Sequence, residues 1–429
     1  MDGLVRASPA LSRRHRDFHL VFVKLLDVAA RAGFVLTATY GLPIAQAGRF
    51  GLIATLIGLF AFAFNFERQI DIQRRSAGEH HSILDRHVVQ ALKFFAFNWI
   101  LMVPLFILAV LWWTGADPLV LAAATVVVIG EHLSNQAYQY ALIHHRYAPM
   151  LTVVAAKNAV LAAVTLGVSL FQRDLFTLDF VVACWAVGAV LCTLALGVMF
   201  LRIRDAAPKP TPFSLRADIL GQHKASMTHF LIGLIAILVL QFDRLAVGGL
   251  LSLELTGVYF RHALLISLAY QMFSIASFNR ITPSIFAAAK VEPVSSLIRR
   301  ILREYARVLI LTPLFFICLW GADRLTGGVW TDRFHINLGL VAIMLLGFMV
   351  RGAADFPALI MNALHRERLV LHRQAFAFAI GGALLVGLTH GFGLWGAAWA
   401  MVCTSTLYAL LNWMALRSLS AQDAVERRT

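Results

Sequence analysis

Six basic side chains interrupt apolar stretches that are long enough to cross a bilayer. A cation in hydrocarbon costs roughly 2.5–3.5 kcal/mol on insertion scales, so such residues usually face a cavity or bind a ligand. Guanidinium and ammonium groups bind phosphate and other anions well. We therefore predict that all six are contacts for an anionic group. They are Lys24, Arg31, Lys157, Arg244, Arg261 and Arg351.

Four acidic residues share these stretches and leave a surplus of two positive charges. We expect them to tune or reset the cations, and they are Asp27, Glu131, Asp243 and Asp355. A cavity with this charge balance favours an anion such as phosphate and disfavours a lipophilic cation.

Three of these charged residues are spaced so that they lie on one side of a helix. Lys24, Asp27 and Arg31 follow one another at i, i+3 and i+7, which predicts a single helical face. Such a face favours a water-filled interior or a ligand. The alternative is a ladder of local ion pairs.

Glu131 begins a polar stripe at helical spacing. The stripe continues through Ser134, Asn135, Tyr138 and Gln139. It predicts a face toward the bundle interior or a cavity, and the alternative is hydrogen bonding between helices. Glu131 either pairs with Lys157 or carries a coupling proton, and the sequence leaves both open.

The other three basic residues have simpler explanations than anion binding. Arg244 and Arg261 lie near the outer end of their stretches and could extend to the interface. Arg351 and Asp355 are spaced i, i+4 and can bridge each other, but Arg351 lies near the middle of its stretch.

The elements that hold these residues are membrane helices. Of the 429 residues, 59% are hydrophobic and 14% charged, and the mean hydropathy is +0.74. A soluble protein of this size could not bury so much apolar surface. The pattern predicts spans near 18–41, 50–70, 90–113, 118–141, 148–170, 178–201, 226–250, 256–282, 305–322, 337–361, 372–390 and 393–416.

Basic residues also predict the orientation. Twenty-seven of the 37 Lys and Arg residues lie in segments on one side of these spans, and four lie on the other. Basic loops remain in the cytoplasm, so both termini are predicted there. Because the positive charge sits in short loops, we expect anionic membrane lipids and no nucleic acid as partners. The short loops and the Ala- and Arg-rich composition suit a bacterial inner membrane.

A Pro-punctuated connector divides the spans six and six. We predict an N-terminal bundle (1–205), a cytoplasmic linker (206–224), a C-terminal bundle (225–418) and a cytoplasmic tail (419–429). The halves have a weak internal similarity, since Gly48-Arg49-Phe50 follows the first span and Gly257-Val258-Tyr259 follows the seventh. Six spans per half predict parallel repeats.

Neither a catalytic nor a metal-binding motif is present. The four cysteines lie within apolar spans without metal-ligand spacing, and no extramembrane segment is long enough to form a catalytic domain. The segment 284–304 mixes apolar and basic residues and predicts an amphipathic link at the inner interface.

Three passages resemble the Wzx-type polysaccharide-export and O-antigen flippases of the multidrug/oligosaccharidyl-lipid/polysaccharide (MOP) superfamily. The first is Asp243-Arg244 followed by Gly248-Gly249 and then Gly257-Val258-Tyr259. The second is 391–400, Gly-Phe-Gly-Leu-Trp-Gly-Ala-Ala-Trp-Ala, and the looser third is Tyr40-Gly41 with Gly48-Arg49-Phe50.

The resemblance implies an all-α membrane protein with twelve helices in two six-helix bundles, arranged as a V. It implies alternating access that moves an undecaprenyl-pyrophosphate-linked oligosaccharide to the outer leaflet for exopolysaccharide, O-antigen or capsule synthesis. The resemblance also implies coupling to Na⁺ or H⁺. It further implies association with a polymerase and other glycan-assembly proteins. No other cofactor and no enzymatic activity are expected.

Three rival functions remain. A MATE-type drug or metabolite antiporter of the same superfamily would need a more acidic or aromatic cavity. A membrane-embedded glycan polymerase or ligase would need a large outer loop. A lipid II flippase usually has two additional spans.

Overall fold

The computed structural model describes residues 9–68, 81–143, 148–203, 219–273 and 277–426, and these ranges are almost entirely helical. We number their helices in chain order. They are α1 (Pro9–Gly41), α2 (Ile44–Asn65), α3 (His81–Thr114), α4 (Pro118–Ile143), α5 (Ala148–Phe171), α6 (Leu178–Ile203), α7 (Gly221–Leu250), α8 (Leu253–Phe273), α9 (Asn279–Ala288), α10 (Val294–Leu325), α11 (Val329–Phe334), α12 (Leu338–Ala363) and α13 (Glu367–Glu426).

Most of these helices can cross a membrane. Within the described ranges, nine are long and apolar enough to do so. Helices α1 and α8 have sufficient length, 33 and 21 residues, but carry charges such as Asp27, Arg31 and Arg261 that lower their hydropathy. The prediction of an all-α, multi-pass membrane protein is confirmed.

Helix α13 contains two spans. Its 60 residues would extend about 90 Å at 1.5 Å per residue, three times the ~30 Å thickness of the hydrocarbon layer. Gly393 breaks it, with φ 58° and ψ −136°, into a first arm (367–392) and a second arm (394–426). Counting the arms separately, and adding α1 and α8 for their length, gives twelve helical segments in the described residues that could serve as the predicted spans.

The chain forms two compact units. Unit 1 comprises 1–42 and 56–227, and unit 2 comprises 43–55 and 228–429. In unit 1, α1 packs along α5 and α4 packs along α6, while in unit 2 α12 packs against both α13 and α10. The first half of α2 thus belongs with the C-terminal helices. The predicted linker 206–224 lies mostly outside the described residues, and the predicted bundle limits stay a prediction.

The predicted amphipathic link at 284–304 is divided between two helices. Helix α9 ends at Ala288, and α10 begins at Val294. Ile285, Leu297 and Ile301 are buried in one apolar cluster, whereas the basic residues Arg299 and Arg303 are exposed. The segment is amphipathic, as expected, but a turn interrupts it.

Two glycines allow a close helix crossing inside unit 2. A Cβ on Gly48 of α2 would lie 2.2 Å from the carbonyl oxygen of Leu253, and a Cβ on Gly257 of α8 would lie 2.1 Å from that of Ile44. Small residues at such positions let helix backbones approach closely in membranes. The two glycines belong to the passages that show the internal similarity, and each hypothetical Cβ also approaches the other glycine's backbone nitrogen, at 2.9 and 3.2 Å.

Adding one methyl group at this crossing should destabilise the protein. We expect Gly48→Ala to cost about 1–3 kcal/mol, because the obstacle is backbone and cannot rotate away. The measurement is the melting temperature of purified protein in detergent. The matched control is Gly167→Ala in α5, where a Cβ would meet nothing within 4 Å. Equal melting temperatures for the two variants would argue against the close crossing.

Candidate functional site

Glu131 of α4 is the centre of an ion network in unit 1. Its Oε1 atom accepts hydrogen bonds from Lys157 Nζ of α5 at 2.6 Å and from Trp185 Nε1 of α6 at 2.9 Å. Its Oε2 atom accepts one from Arg31 Nη2 of α1. Four helices are therefore joined at one carboxylate. Of the two alternatives for Glu131, the structure supports pairing with Lys157.

Asp27 lies in the same network, one helical turn from Arg31. Asn158 of α5 donates its Nδ2 hydrogen to Asp27 Oδ1 at 2.5 Å, and both residues are buried. Asp27, Arg31, Glu131 and Lys157 sum to zero formal charge. Lys24 lies on α1 as predicted, but its side chain is outside the described part of the chain.

The two cations at Glu131 differ in accessibility. The Lys157 side chain is 3% exposed, whereas the Arg31 side chain is 46% exposed. Lys157 therefore has a fixed internal partner. Arg31 holds the same carboxylate from the accessible side and can also contact a solute.

The polar stripe of α4 does not act as one surface. Ser134 bonds to the carbonyl of Gly130 and lies 3.7 Å from Cys192 Sγ, while Asn135 is exposed and Gln139 half-buried. The side chain of Tyr138 is outside the described set. Ser134 therefore faces the bundle interior against α6, which fits the alternative of contacts between helices, whereas Asn135 does not share this face.

Sequence reasoning missed a second polar cluster on α4. His132 is fully buried; its Nδ1 accepts from Trp99 Nε1 at 3.3 Å, and its Nε2 lies 3.4 Å from Gln136 Nε2. Phe64 and Phe95 surround the ring. The i, i+4 spacing of His132 and Gln136 was a usable signal, but Trp99 comes from another helix.

In unit 2, Arg351 and Asp355 form the predicted pair. Arg351 Nε lies 3.0 Å from Asp355 Oδ1, and the Tyr270 hydroxyl donates to Asp355 Oδ2 at 2.9 Å. The guanidinium carbon lies 4.6 Å from the centre of the Tyr408 ring. Because the Arg351 side chain is 7% exposed, this charge is neutralised inside the unit.

Asp243 and its neighbours are arranged separately. Tyr259 donates to Asp243 Oδ2 at 2.7 Å, and Arg244 donates to Ser267 Oγ at 2.7 Å. Arg261 is buried and donates to the carbonyl of Phe334 at 3.1 Å. Phe334 lies in a segment predicted to face outward, so this contact fits the alternative that Arg261 extends toward the interface. Asp243 and Arg351 both line one cavity of about 40 Å³ within unit 2.

The predicted site residues thus form two groups. Asp27, Arg31, Glu131 and Lys157 are joined in unit 1, and Arg351, Asp355 and Asp243 are associated in unit 2. Arg244 and Arg261 bond elsewhere. No cluster of three His, Cys, Asp or Glu residues within the described ranges is placed to hold a metal ion.

Comparison with solved structures gives the fold. An inward-facing multidrug resistance MATE family transporter of the MOP superfamily superposes with a TM-score of 0.66 at 14% identity, covering 93% of this chain and 95% of that one. Lipid II flippase MurJ, in an inward closed conformation, superposes with a TM-score of 0.69 at 9% identity. The match covers 94% of this chain and 91% of that one. A eukaryotic MATE transporter superposes with a TM-score of 0.53 at 12% identity, covering 95% of this chain and 98% of that one.

This chain shares the fold of these solved transporters. No protein-family model and no curated protein sequence matches it. The fold prediction is confirmed, while the narrower resemblance to the Wzx-type flippases stays a prediction.

Removing the central carboxylate should destabilise unit 1. Glu131→Gln leaves buried Lys157 without a counter-charge, and breaking a buried ion pair from one side costs about 3–5 kcal/mol. The double variant Glu131→Gln/Lys157→Met should regain part of the loss, because both buried charges are then removed. Thermal unfolding of the purified proteins measures both effects.

Glu254→Gln is the matched control for this pair of variants, since Glu254 is exposed at the start of α8. Its melting temperature should stay close to that of the parent. Additive losses in the double variant would contradict the network.

Proposed function

We propose that this protein is a flippase that moves an undecaprenyl-pyrophosphate-linked oligosaccharide across the bacterial inner membrane. It would act by alternating access and supply repeat units for exopolysaccharide, O-antigen or capsule synthesis. Both termini would lie in the cytoplasm. Its partners would be the lipid-linked substrate, membrane lipids, and the polymerase and other proteins of glycan assembly.

The observation that carries the proposal is the shared carboxylate of Glu131. If a pyrophosphate binds Arg31, Glu131 loses one of three donors but keeps Lys157 and Trp185. No buried charge is then left without a partner, so the exchange avoids the main penalty for breaking a buried pair. Arg31 can pass between carboxylate and phosphate at low cost.

Such an exchange also allows release. A ligand shifts a conformational equilibrium only if it binds the two states differently. In a state where Glu131 approaches Arg31 closely, the carboxylate competes with the phosphate. In a state where the contact is looser, Arg31 is available. Coupling to Na⁺ or H⁺ would be a further way to bias this competition.

The unit 2 group would have a supporting part. Arg351 is neutralised by Asp355 and packed on Tyr408, so we assign it to the shape and charge of the unit 2 cavity, which it shares with Asp243. Arg244 and Arg261 have partners of their own and are weaker candidates for direct substrate contact.

A MATE-type antiporter is the second candidate, because the fold likeness to a multidrug resistance transporter covers nearly the whole chain. The charge arrangement argues against a cationic substrate. Glu131 holds two cations, Asp27 holds the amide of Asn158, and Asp355 holds Arg351. A glycan polymerase or ligase is less well supported, since the described connections between spans are short.

Arg31→Ala and Arg351→Ala are expected to abolish glycan export. The first removes the exchangeable cation, and the second leaves Asp355 without its ion partner. The test is complementation of a gene deletion in the native host, with lipid-linked glycan at the inner leaflet and exported polysaccharide as readouts. Arg31→Lys should retain part of the export because it keeps the charge.

Arg49→Ala is the matched control, because Arg49 lies in a segment predicted to face outward and is not among the site residues. All variants must reach the membrane in equal amounts by immunoblot. Full export in the Arg31→Ala/Arg351→Ala double variant would remove the cationic mechanism. Loss of resistance to toxic cations with normal glycan export would favour the antiporter.

A further inference from the structure

A second basic site lies in unit 2, where α12 ends and α13 begins. A pocket of about 560 Å³ opens between the start of the first arm of α13 and the end of its second arm. We call it the arm pocket, defined by the side chains that line it at 365–373 and 415–422. Its volume is within the roughly 300–1,000 Å³ typical of ligand pockets.

The rim of the arm pocket is positively charged. Arg366, Arg368 and Arg373 line it, with Glu367 as the acidic residue among the lining side chains. Arg366 and Arg368 are exposed. Glu367 points toward His365, whose Nδ1 lies 3.8 Å from its Oε1. The planar, forked guanidinium groups are suited to phosphate oxygens.

Arg373 holds the two arms together at this level. It donates an Nη1 hydrogen to the backbone carbonyl of Leu411 on the second arm. The pocket is therefore built between two tethered helices. Part of its wall is apolar, formed by Leu369, Ala415 and Leu419. Leu369 and Leu419 pack against a buried cluster that contains Ala415, Met361 and Val370.

Exposed apolar residues continue from the pocket along both arms. On the first arm, Phe376 (54% exposed) and Ile380 follow at i+4 and i+8 from His372 of the pocket. On the second arm, Met414 (67% exposed) and Leu410 precede Ser418 by four and eight residues. Positions four apart share one helix face. Each arm therefore presents a stripe of exposed apolar residues next to the pocket, while the basic residues of the rim all come from 366–373.

We infer that the arm pocket binds the headgroup of an anionic membrane phospholipid, with the acyl chains along the two apolar stripes. A soluble phosphate compound would use the rim and leave the stripes unused, whereas a phospholipid uses both. Basic pockets between membrane helices on the cytoplasmic side bind anionic headgroups, and the segment 362–373 is predicted to be cytoplasmic. The site does not depend on the proposed transport function.

The test is a lipid titration of the purified protein in an uncharged detergent, read out as melting temperature. Phosphatidylglycerol should raise it, and phosphatidylcholine and inorganic phosphate should not. Arg366→Gln/Arg368→Gln should weaken the apparent affinity for phosphatidylglycerol about 30-fold, from the usual contribution of each arginine near an anionic surface. Each variant is compared with its own lipid-free melting temperature, so a change in basal stability does not obscure the result.

The matched control is Arg299→Gln/Arg303→Gln, which removes two exposed arginines of α10 outside the pocket. It should leave the phosphatidylglycerol response intact. A second variant, Phe376→Ser/Met414→Ser, should weaken phosphatidylglycerol binding through the stripes while keeping the rim.

Three results would overturn the inference. Equal losses in the pocket and control variants would indicate general surface charge. An equal response to inorganic phosphate would indicate a free-anion site. Binding of undecaprenyl diphosphate but not phosphatidylglycerol would reassign the pocket to a lipid-linked substrate.

Discussion

A charged side chain inside a bilayer must find a partner, and in unit 1 one carboxylate meets this requirement for two cations. Glu131 joins α1, α4, α5 and α6 because Arg31, Lys157 and Trp185 all converge on it. The same contact that makes the buried charges tolerable therefore also positions the helices. Because the bilayer has no water to solvate ions, the contacts that compensate the buried charges also determine how the helices pack.

In unit 2 the charged residues have different partners. Its acidic residues receive hydroxyl hydrogens, from Tyr259 to Asp243 and from Tyr270 to Asp355, and Arg351 packs on an aromatic ring. A local Arg351–Asp355 ion pair, neutral donors and a ring face thus take the place of the shared ion network. The two units have similar numbers of intramembrane charges but very different exposure, since the accessible Arg31 has no counterpart at Arg351.

The sequence predicted best what depends on local pattern. The hydrophobic pattern predicted the long helices, although α1 and α8 carry charges and are not among the nine described helices apolar enough to cross a membrane, and i, i+4 spacing predicted the Arg351–Asp355 pair. Contacts between residues that are far apart in the sequence were harder to predict. Lys157 was one of two alternatives for Glu131, while Trp185 and the Asp27–Asn158 bond were not predicted, because nothing in the spacing of one helix indicates which residue of another faces it. Arg261 was predicted to contact an anion or the interface, and its contact with a backbone carbonyl more than seventy residues away could not be predicted from its own helix.

The break at Gly393 has a consequence for how the last two passes are connected. Its left-handed backbone angle turns the chain within a single residue, and helix resumes at once on both sides. Gly396 packs so closely on the preceding arm that a Cβ there would lie 1.8 Å from the Leu388 carbonyl oxygen. This hairpin therefore has no loop that a protease could cut or an inserted epitope could occupy without unwinding helix. Connections with non-helical residues, such as 115–117 between α3 and α4, are the better places to attach a reporter.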